Sequence, residues 1–169
     1  MAGARPDLTL RPLAEADLPE LTRILQTPEV ARWWDVGAPW DDDDDDCTLL
    51  AIDVGGTVAG LIQYYEEPDP KYRHAAIDIF VDPAVHNRGI GTNAIRQLVR
   101  HLIDDRGHHR ITIDPATANA PAIRCYEKAG FKPVGVMRAY ERDMATGEWH
   151  DGLLMELVEA PPGGGASTR

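Results

Sequence analysis

The chain has almost none of what a covalent staple or a metal centre requires. Its 169 residues contain two cysteines, Cys47 and Cys125, which supply neither a disulfide framework nor a metal-ligand spacing. Six histidines show no zinc spacing, and His108-His109 reads as a loop before a strand. No apolar run approaches the roughly 20 residues needed to cross a bilayer, so no membrane partner is expected. The first twenty residues carry Arg5, Asp7, Arg11, Glu15, Asp17 and Glu20, which leaves no apolar core for a secretory leader there; the expected compartment is the cytoplasm. Positive charge is scarce too: 17 Lys and Arg against 28 Asp and Glu give a net charge of −11. Recognition of a phosphate backbone needs a basic footprint. That balance argues against nucleic acid and favours a cationic ligand.

What is present suits one globular domain, expected over residues 1–159, with a Pro/Gly-rich tail at 160–169 that has no pattern to fold on. The 43% apolar content is ordinary for a packed core. The block Asp41 to Asp46 reads as a solvated loop or as an anionic lip for a polycation. "LTLRPL" is a first strand, followed by a helix marked by Leu18, Leu21 and Leu25. Thr27-Pro28 opens a short second helix holding Val30, Trp33 and Trp34. Two strands flank Gly55-Gly56 as a hairpin, and "HAAIDIFVD" is another strand. A helix is expected from about Gly91 to Arg106, then the short strand "HRITIDP". A helix with Asn119 near its start and Gly130 as its C-cap comes next, and two closing strands follow. An antiparallel start, strand-helix-strand-helix, then two strands make a mixed α/β (α+β) domain.

The stretch "VHNRGIGTNAIRQLVRHLI" places two glycines, one residue apart, where a helix begins. A helix N-terminus leaves N–H groups unpaired and carries partial positive charge. Arg88, Gly89, Ile90, Gly91 and Thr92 would aim their amides into one concavity, and Arg88 adds a full charge. By physical logic this is a diphosphate cradle. It is neither a Walker loop nor a dinucleotide fingerprint, since Ala94 stands where the third glycine of the latter belongs.

With "NAPAIRCYEKAGF" further on, the chain resembles the GCN5-related N-acetyltransferase (GNAT) superfamily over roughly Leu8 to Val158. The acyl-CoA motif of that family, Gln/Arg-x-x-Gly-x-Gly/Ala, reads His86-Asn87-Arg88-Gly89-Ile90-Gly91 here, with histidine at the first position. The resemblance implies a single mixed, mostly antiparallel sheet of about seven strands, with a parallel pair at a splayed cofactor site and about four helices. It also implies acetyl-CoA as acetyl donor, with Asn119 and Tyr126 facing the pantetheine arm and the thioester sulfur. "RPLAEADLPELTRILQTPEVARWW", "AAIDIFV" and "ITIDPATANAPAIRCYEKAGF" are together similar to the aminoglycoside 6′-N-acetyltransferases. This implies acetylation of a small polycationic amine and antibiotic resistance, by a monomer or a homodimer. Acetylation of protein N-termini or another small amine is an alternative, and a non-catalytic acyl-CoA sensor a third reading.

Asp78 lies inside the apolar strand "AAIDIFV", where a carboxylate is costly unless paired or hydrogen-bonded. Asp114 ends "ITI" where Pro115 turns the chain, and its residue type alone also suits a turn or cap. In the family layout their two strands lie side by side, and the resemblance carries the substrate-side acids onto both. An ammonium cannot attack a thioester. Neutralising a lysine-like amine of pKa about 10.4 at pH 7 costs roughly 4.6 kcal/mol. Asp78 is favoured as the base, directly or through water, with Asp114 orienting the cation; the reverse assignment stays open. A strand N–H near Phe80 or Val81 would meet the oxyanion. Tyr126 would protonate the leaving thiolate, uphill by only roughly 2 kcal/mol at ordinary pKa values. Cys125 reads as a small buried hydrophobe.

For the acceptor, one of Trp33 and Trp34 is expected to pack inward, and the resemblance implies that the other stacks on a sugar ring. Tyr64, Tyr65, Glu66 and Glu67 end a hairpin strand and could line the same mouth, or equally stand as solvated strand ends. Asp151, beginning the last strand, is a further candidate contact. No metal is expected.

Overall fold

The computed structural model describes residues 7–34, 37–40 and 46–160. The acidic block, Asp46 apart, and the expected tail, Ala160 apart, lie outside the described residues.

Seven strands form one sheet: β1 (Leu8–Pro12), β2 (Cys47–Val54), β3 (Thr57–Glu66), β4 (Ala75–Val81), β5 (Arg110–Ile113), β6 (Lys132–Arg142) and β7 (Trp149–Val158). Their order is β1-β2-β3-β4-β5-β7-β6. Every pairing is antiparallel except β4 with β5. Four α-helices accompany them among the described residues: α1 (Leu18–Leu25), α2 (Pro28–Ala31), α3 (Ile90–Asp104) and α4 (Ala120–Ala129). The expected architecture is therefore observed. Two boundaries differ. α3 stops at Asp104 because Gly107 turns left-handed, and the Gly107 and His108 amides bond back to Ile103 and Leu102. α2 stops at Ala31, so Trp33 and Trp34 sit in the turn after it, both amides bonding the Val30 carbonyl.

Strand alternation distributes side chains to two cores. Ile62 and Tyr64 of β3, Ile77 of β4, Ile111 and Ile113 of β5 and Met155 of β7 pack with Ile95, Leu98 and Leu102 of α3 and Phe131 after α4. Each such aliphatic side chain contributes about 1.5–3 kcal/mol on burial, so the α3 face is the main clamp on the sheet. Leu61 of β3 and Phe80 of β4 point the other way, onto Leu21, Ile24 and Val30 of α1 and α2. The same alternation puts Asp78 on the Phe80 face. Carried one residue past β5, it puts Asp114 on that face too, opposite Ile113.

Candidate active site

β4 and β5 are joined only at Ala75 with Ile111 and Ala76 with Thr112. Beyond these pairs the strands part, and a cleft of about 2310 Å³ runs through the opening. That volume exceeds a typical single-ligand pocket, and suits a long groove shared by two ligands. The cleft is unevenly charged. Arg88, Arg96, Arg124 and Lys128 line it on the α3/α4 side, while elsewhere Glu29, Asp78, Asp114, Glu141, Asp143 and Asp151 outnumber Arg32 and Arg142.

Gly89 is the N-cap of α3, at φ 75°, a left-handed conformation that favours glycine. Asn87 is also left-handed, at φ 61°. Gly91 is closely packed instead: a Cβ there would already be in van der Waals contact, 3.4 Å from Cys125 Sγ and 3.7 Å from Val81 Cγ2, which leaves no room for a larger side chain. No side chain caps the helix, and its first intrahelical donor is Asn93 N–H, bonding the Gly89 carbonyl. The amides before it belong to the unpaired first turn. Arg88, Gly89, Ile90, Gly91 and Thr92 all line the cleft, so the expected cradle residues come together. The side chain of Ile90 itself is buried in the core. His86, at the departure from the family motif, holds the Val81 carbonyl through Nε2 at 2.9 Å, which ties the turn to β4.

Asp82 N–H bonds the Ala59 carbonyl of the residues before Gly60. Alternation along β4 then turns the Phe80 amide toward β3 and leaves the Val81 amide on the open edge. Of the two candidate oxyanion donors, Val81 faces the opening. Phe80 does not, and its ring meets Trp34 edge-on at a centroid distance of 4.9 Å.

Asp78 is partly exposed at the cleft, with Gln63 Nε2 donating to its Oδ2 at 3.4 Å. Burial, then the nearby Asp114 charge, pushes its carboxyl up to about 6. Tyr126 lines the cleft from α4. Burial, reinforced by Cys125, Asp78 and Asp114, pushes its hydroxyl far above the ordinary tyrosine value. Full proton transfer from it is therefore harder than ordinary values imply, and hydrogen-bond donation suits it better. Asn119 caps α4, its Oδ1 accepting from Ala122 N–H at 3.3 Å, and it too lines the cleft. Cys125 Sγ lies 3.4 Å from Thr92 Oγ1.

On the acceptor side, Trp34 is the tryptophan that packs inward, while Trp33 carries the Arg32 guanidinium 4.6 Å from its ring centroid. Both line the cleft. Tyr64 does not: it is 7% exposed and packs in the α3 core, edge-on to His101. Even numbering along β3 sends it away from the Asp78 face. Glu66 does not either, because Arg106 and His108 hold it at 2.6 and 2.7 Å. Those bonds keep its carboxyl down at about 2, chiefly through Arg106. Asp151 lines the cleft, yet its Oδ1 accepts the Ala139 N–H at 2.8 Å. Sequence reasoning missed Tyr140, whose hydroxyl donates to Asp114 Oδ2 at 2.5 Å. A bulge brings it there, and no periodicity announces a bulge. Among the described residues no group of three or more His, Cys, Asp or Glu could hold a metal ion.

A profile of the acetyltransferase (GNAT) family matches residues 10–131. The aminoglycoside N(6′)-acetyltransferase type 1 of Klebsiella pneumoniae is 29% identical over 162 residues, covering 81% of this chain and 80% of that one. The N-alpha-acetyltransferase RimI of Mycobacterium tuberculosis is 36% identical over 89 residues, 52% of this chain and 54% of that one. Among solved structures, the aminoglycoside acetyltransferase AAC(6′)-Ib with coenzyme A and kanamycin superposes with a TM-score of 0.73. The identity is 26%, and the match covers 90% of this chain and 95% of that one.

Proposed function

This chain belongs to the acetyltransferase (GNAT) family, and from that premise we propose that it moves an acetyl group from acetyl-CoA to the 6′ amine of an aminoglycoside and thereby confers resistance. The observation that carries the reading is the placement of Asp78 and Asp114 on one face of the sheet, just past the last β4–β5 pair. The similarity to the Klebsiella pneumoniae enzyme supports the acceptor class.

The amides of residues 88–92 and the Arg88 charge hold the diphosphate of acetyl-CoA, with Asn119 and Tyr126 along its pantetheine arm. A carboxylate pair attracts a polycation but also stabilises its ammonium form. Asp78 resolves that conflict. With a carboxyl near 6 it is about nine-tenths ionised at pH 7, and it is a stronger base than an ordinary aspartate. It takes the amine proton, directly or through water, as the amine attacks the thioester carbonyl. Asp114 orients the cation. Val81 N–H meets the negative charge that develops on the carbonyl oxygen, and the Tyr126 hydroxyl donates to the departing sulfur. Transfer is direct, and Cys125 takes no acyl group.

The test is thiol release from acetyl-CoA against kanamycin, spermidine and a peptide with a free N-terminus. Kanamycin turnover, with loss of growth inhibition in a susceptible host expressing the chain, is expected. The similarity to RimI favours a second reading, acetylation of a protein N-terminus; turnover of the peptide without kanamycin would replace the first reading by that one.

A further inference from the structure

β7 acts as a rail between two segments that meet over Asp114. On one side Leu153 N–H bonds the Pro115 carbonyl at 2.8 Å, and Thr117 N–H bonds the Asp151 carbonyl at 2.9 Å. These bonds seat the chain just past Asp114. On the other side the β6 register jumps from Met137 with Gly152 to Glu141 with His150. Arg138, Ala139 and Tyr140 therefore bulge out opposite Asp151 alone.

The bulge is held, not loose. Ala139 adopts φ 47°, which an alanine rarely takes, and the Asp151 carboxylate grips its N–H. Gly152 leaves the room the ring needs: a Cβ there would lie 2.8 Å from Tyr140 Cδ1 and 3.2 Å from Met137 Cε. Tyr140 is half exposed, lines the cleft, and reaches Asp114 with its hydroxyl. A surface tyrosine with no task would need neither a left-handed alanine nor a gap beneath its ring.

We propose that Tyr140 is a positioning residue of the acceptor site, fixing the Asp114 carboxylate toward the incoming amine, with Asp151 and Gly152 holding its ring in place. The proposal rests on reading Asp114 as an acceptor-side acid. The groups that bear on the Asp78–Asp114 pair are Tyr126 from α4 and Tyr140 and Glu141 from β6, with Gln63 of β3 donating to Asp78. The bond to Asp114, with burial second, pushes the Tyr140 hydroxyl up to about 12, so it stays a donor throughout the working pH range.

A donor on a carboxylate favours its ionised form. Removing it leaves the Asp114 charge unshared, and because that charge already raises the Asp78 carboxyl, Asp78 keeps its proton to higher pH. The experiment compares Tyr140→Phe, Gly152→Ala, the double variant and Asp114→Asn, using whichever amine the wild type accepts, from pH 5 to 9. Tyr140→Phe should raise the acceptor KM by roughly 10- to 150-fold, the worth of a hydrogen bond to a charged group. It should move the acid limb of kcat/KM to higher pH and leave the acetyl-CoA KM unchanged. Gly152→Ala should shift the same quantities in the same direction, and add little in the Tyr140→Phe background because both act through one contact. An unmoved acid limb and acceptor KM in Tyr140→Phe, beside a raised KM in Asp114→Asn, would overturn the positioning role and leave the Asp114 reading intact. A silent Asp114→Asn would overturn both.

Discussion

Ala76 and Thr112 form the last pair that joins β4 to β5, and two residues further on stand Asp78, within β4, and Asp114, just past the end of β5. At the same offset they would have been ladder neighbours. The sheet opens instead, so the two carboxylates become opposite lips of a passage from the α3/α4 side to the α1/α2 side.

Asp78→Asn should therefore lower kcat by about 10²-fold or more, the usual weight of a positioned general base. The acetyl-CoA KM should hardly move, since the cradle lies on α3. In the wild type, kcat/KM for the acceptor should fall as pH drops through about 6, where Asp78 takes up its proton. The neighbouring Asp114 charge helps to set where that limb falls. The limb should be missing from the variant; an identical limb in a pH profile of Asp78→Asn would assign the base elsewhere.

The same substitution should stabilise the fold. The Asp78 carboxyl is raised from 3.8 to about 6, so the folded state binds the proton more tightly than the unfolded state does. Its contribution is favourable below about pH 4 and is lost as pH rises through about 6. At pH 7.5 the ionised carboxylate costs up to about 3 kcal/mol, and Asp78→Asn should recover part of it. Denaturant melts at pH 7.5 and pH 4 measure this, with a clear gain expected at the first and almost none at the second.

Much of this arrangement is legible in the sequence. The hairpin at Gly55-Gly56, the period of α3 and the Asn119 and Gly130 caps are local signals, and local physics fixed those elements. The glycine turn before α3 was legible because Gly89 and Gly91 stand beside the first residues of a strongly periodic helix, and the structure puts residues 88–92 on the cleft. The acceptor side was less so. Tyr64 and Glu66 read as mouth residues because they end a strand, but the strand's parity sends Tyr64 to α3, and distant Arg106 and His108 claim Glu66. Tyr140 is positioned by a bulge and by a contact 26 residues away in the chain, neither of which leaves a periodic trace.

Gly91 separates the cradle from the chemistry. A valine there must press on Cys125 Sγ and Val81 Cγ2, which already stand at contact distance from a Cβ. The first turn of α3 would be pushed off α4, and its amides would lose their common aim. Gly91→Val should raise the acetyl-CoA KM by about tenfold or more, the loss of one or two charge-assisted hydrogen bonds, with the acceptor KM little changed. Equilibrium binding of coenzyme A by calorimetry checks it, and unchanged affinity would place the diphosphate away from residues 88–92.

Glu66 offers a control outside the cleft. Arg106, then His108, keeps its carboxyl at about 2 against an ordinary 4.5. Here the folded state prefers the ionised form, so the stabilisation is present above about pH 4.5 and disappears as pH falls through about 2. Arg106 is half exposed, and solvent screening reduces the effect to about 0.5–1 kcal/mol. Glu66→Gln should therefore melt at lower denaturant than the wild type at pH 7, with the two curves converging as pH falls toward 2. Its acceptor KM and kcat at 25 °C should match the wild type, because the carboxylate is tied to the loop before β5 and not to the Asp78–Asp114 opening. A raised acceptor KM in a folded Glu66→Gln enzyme would return Glu66 to the acceptor site.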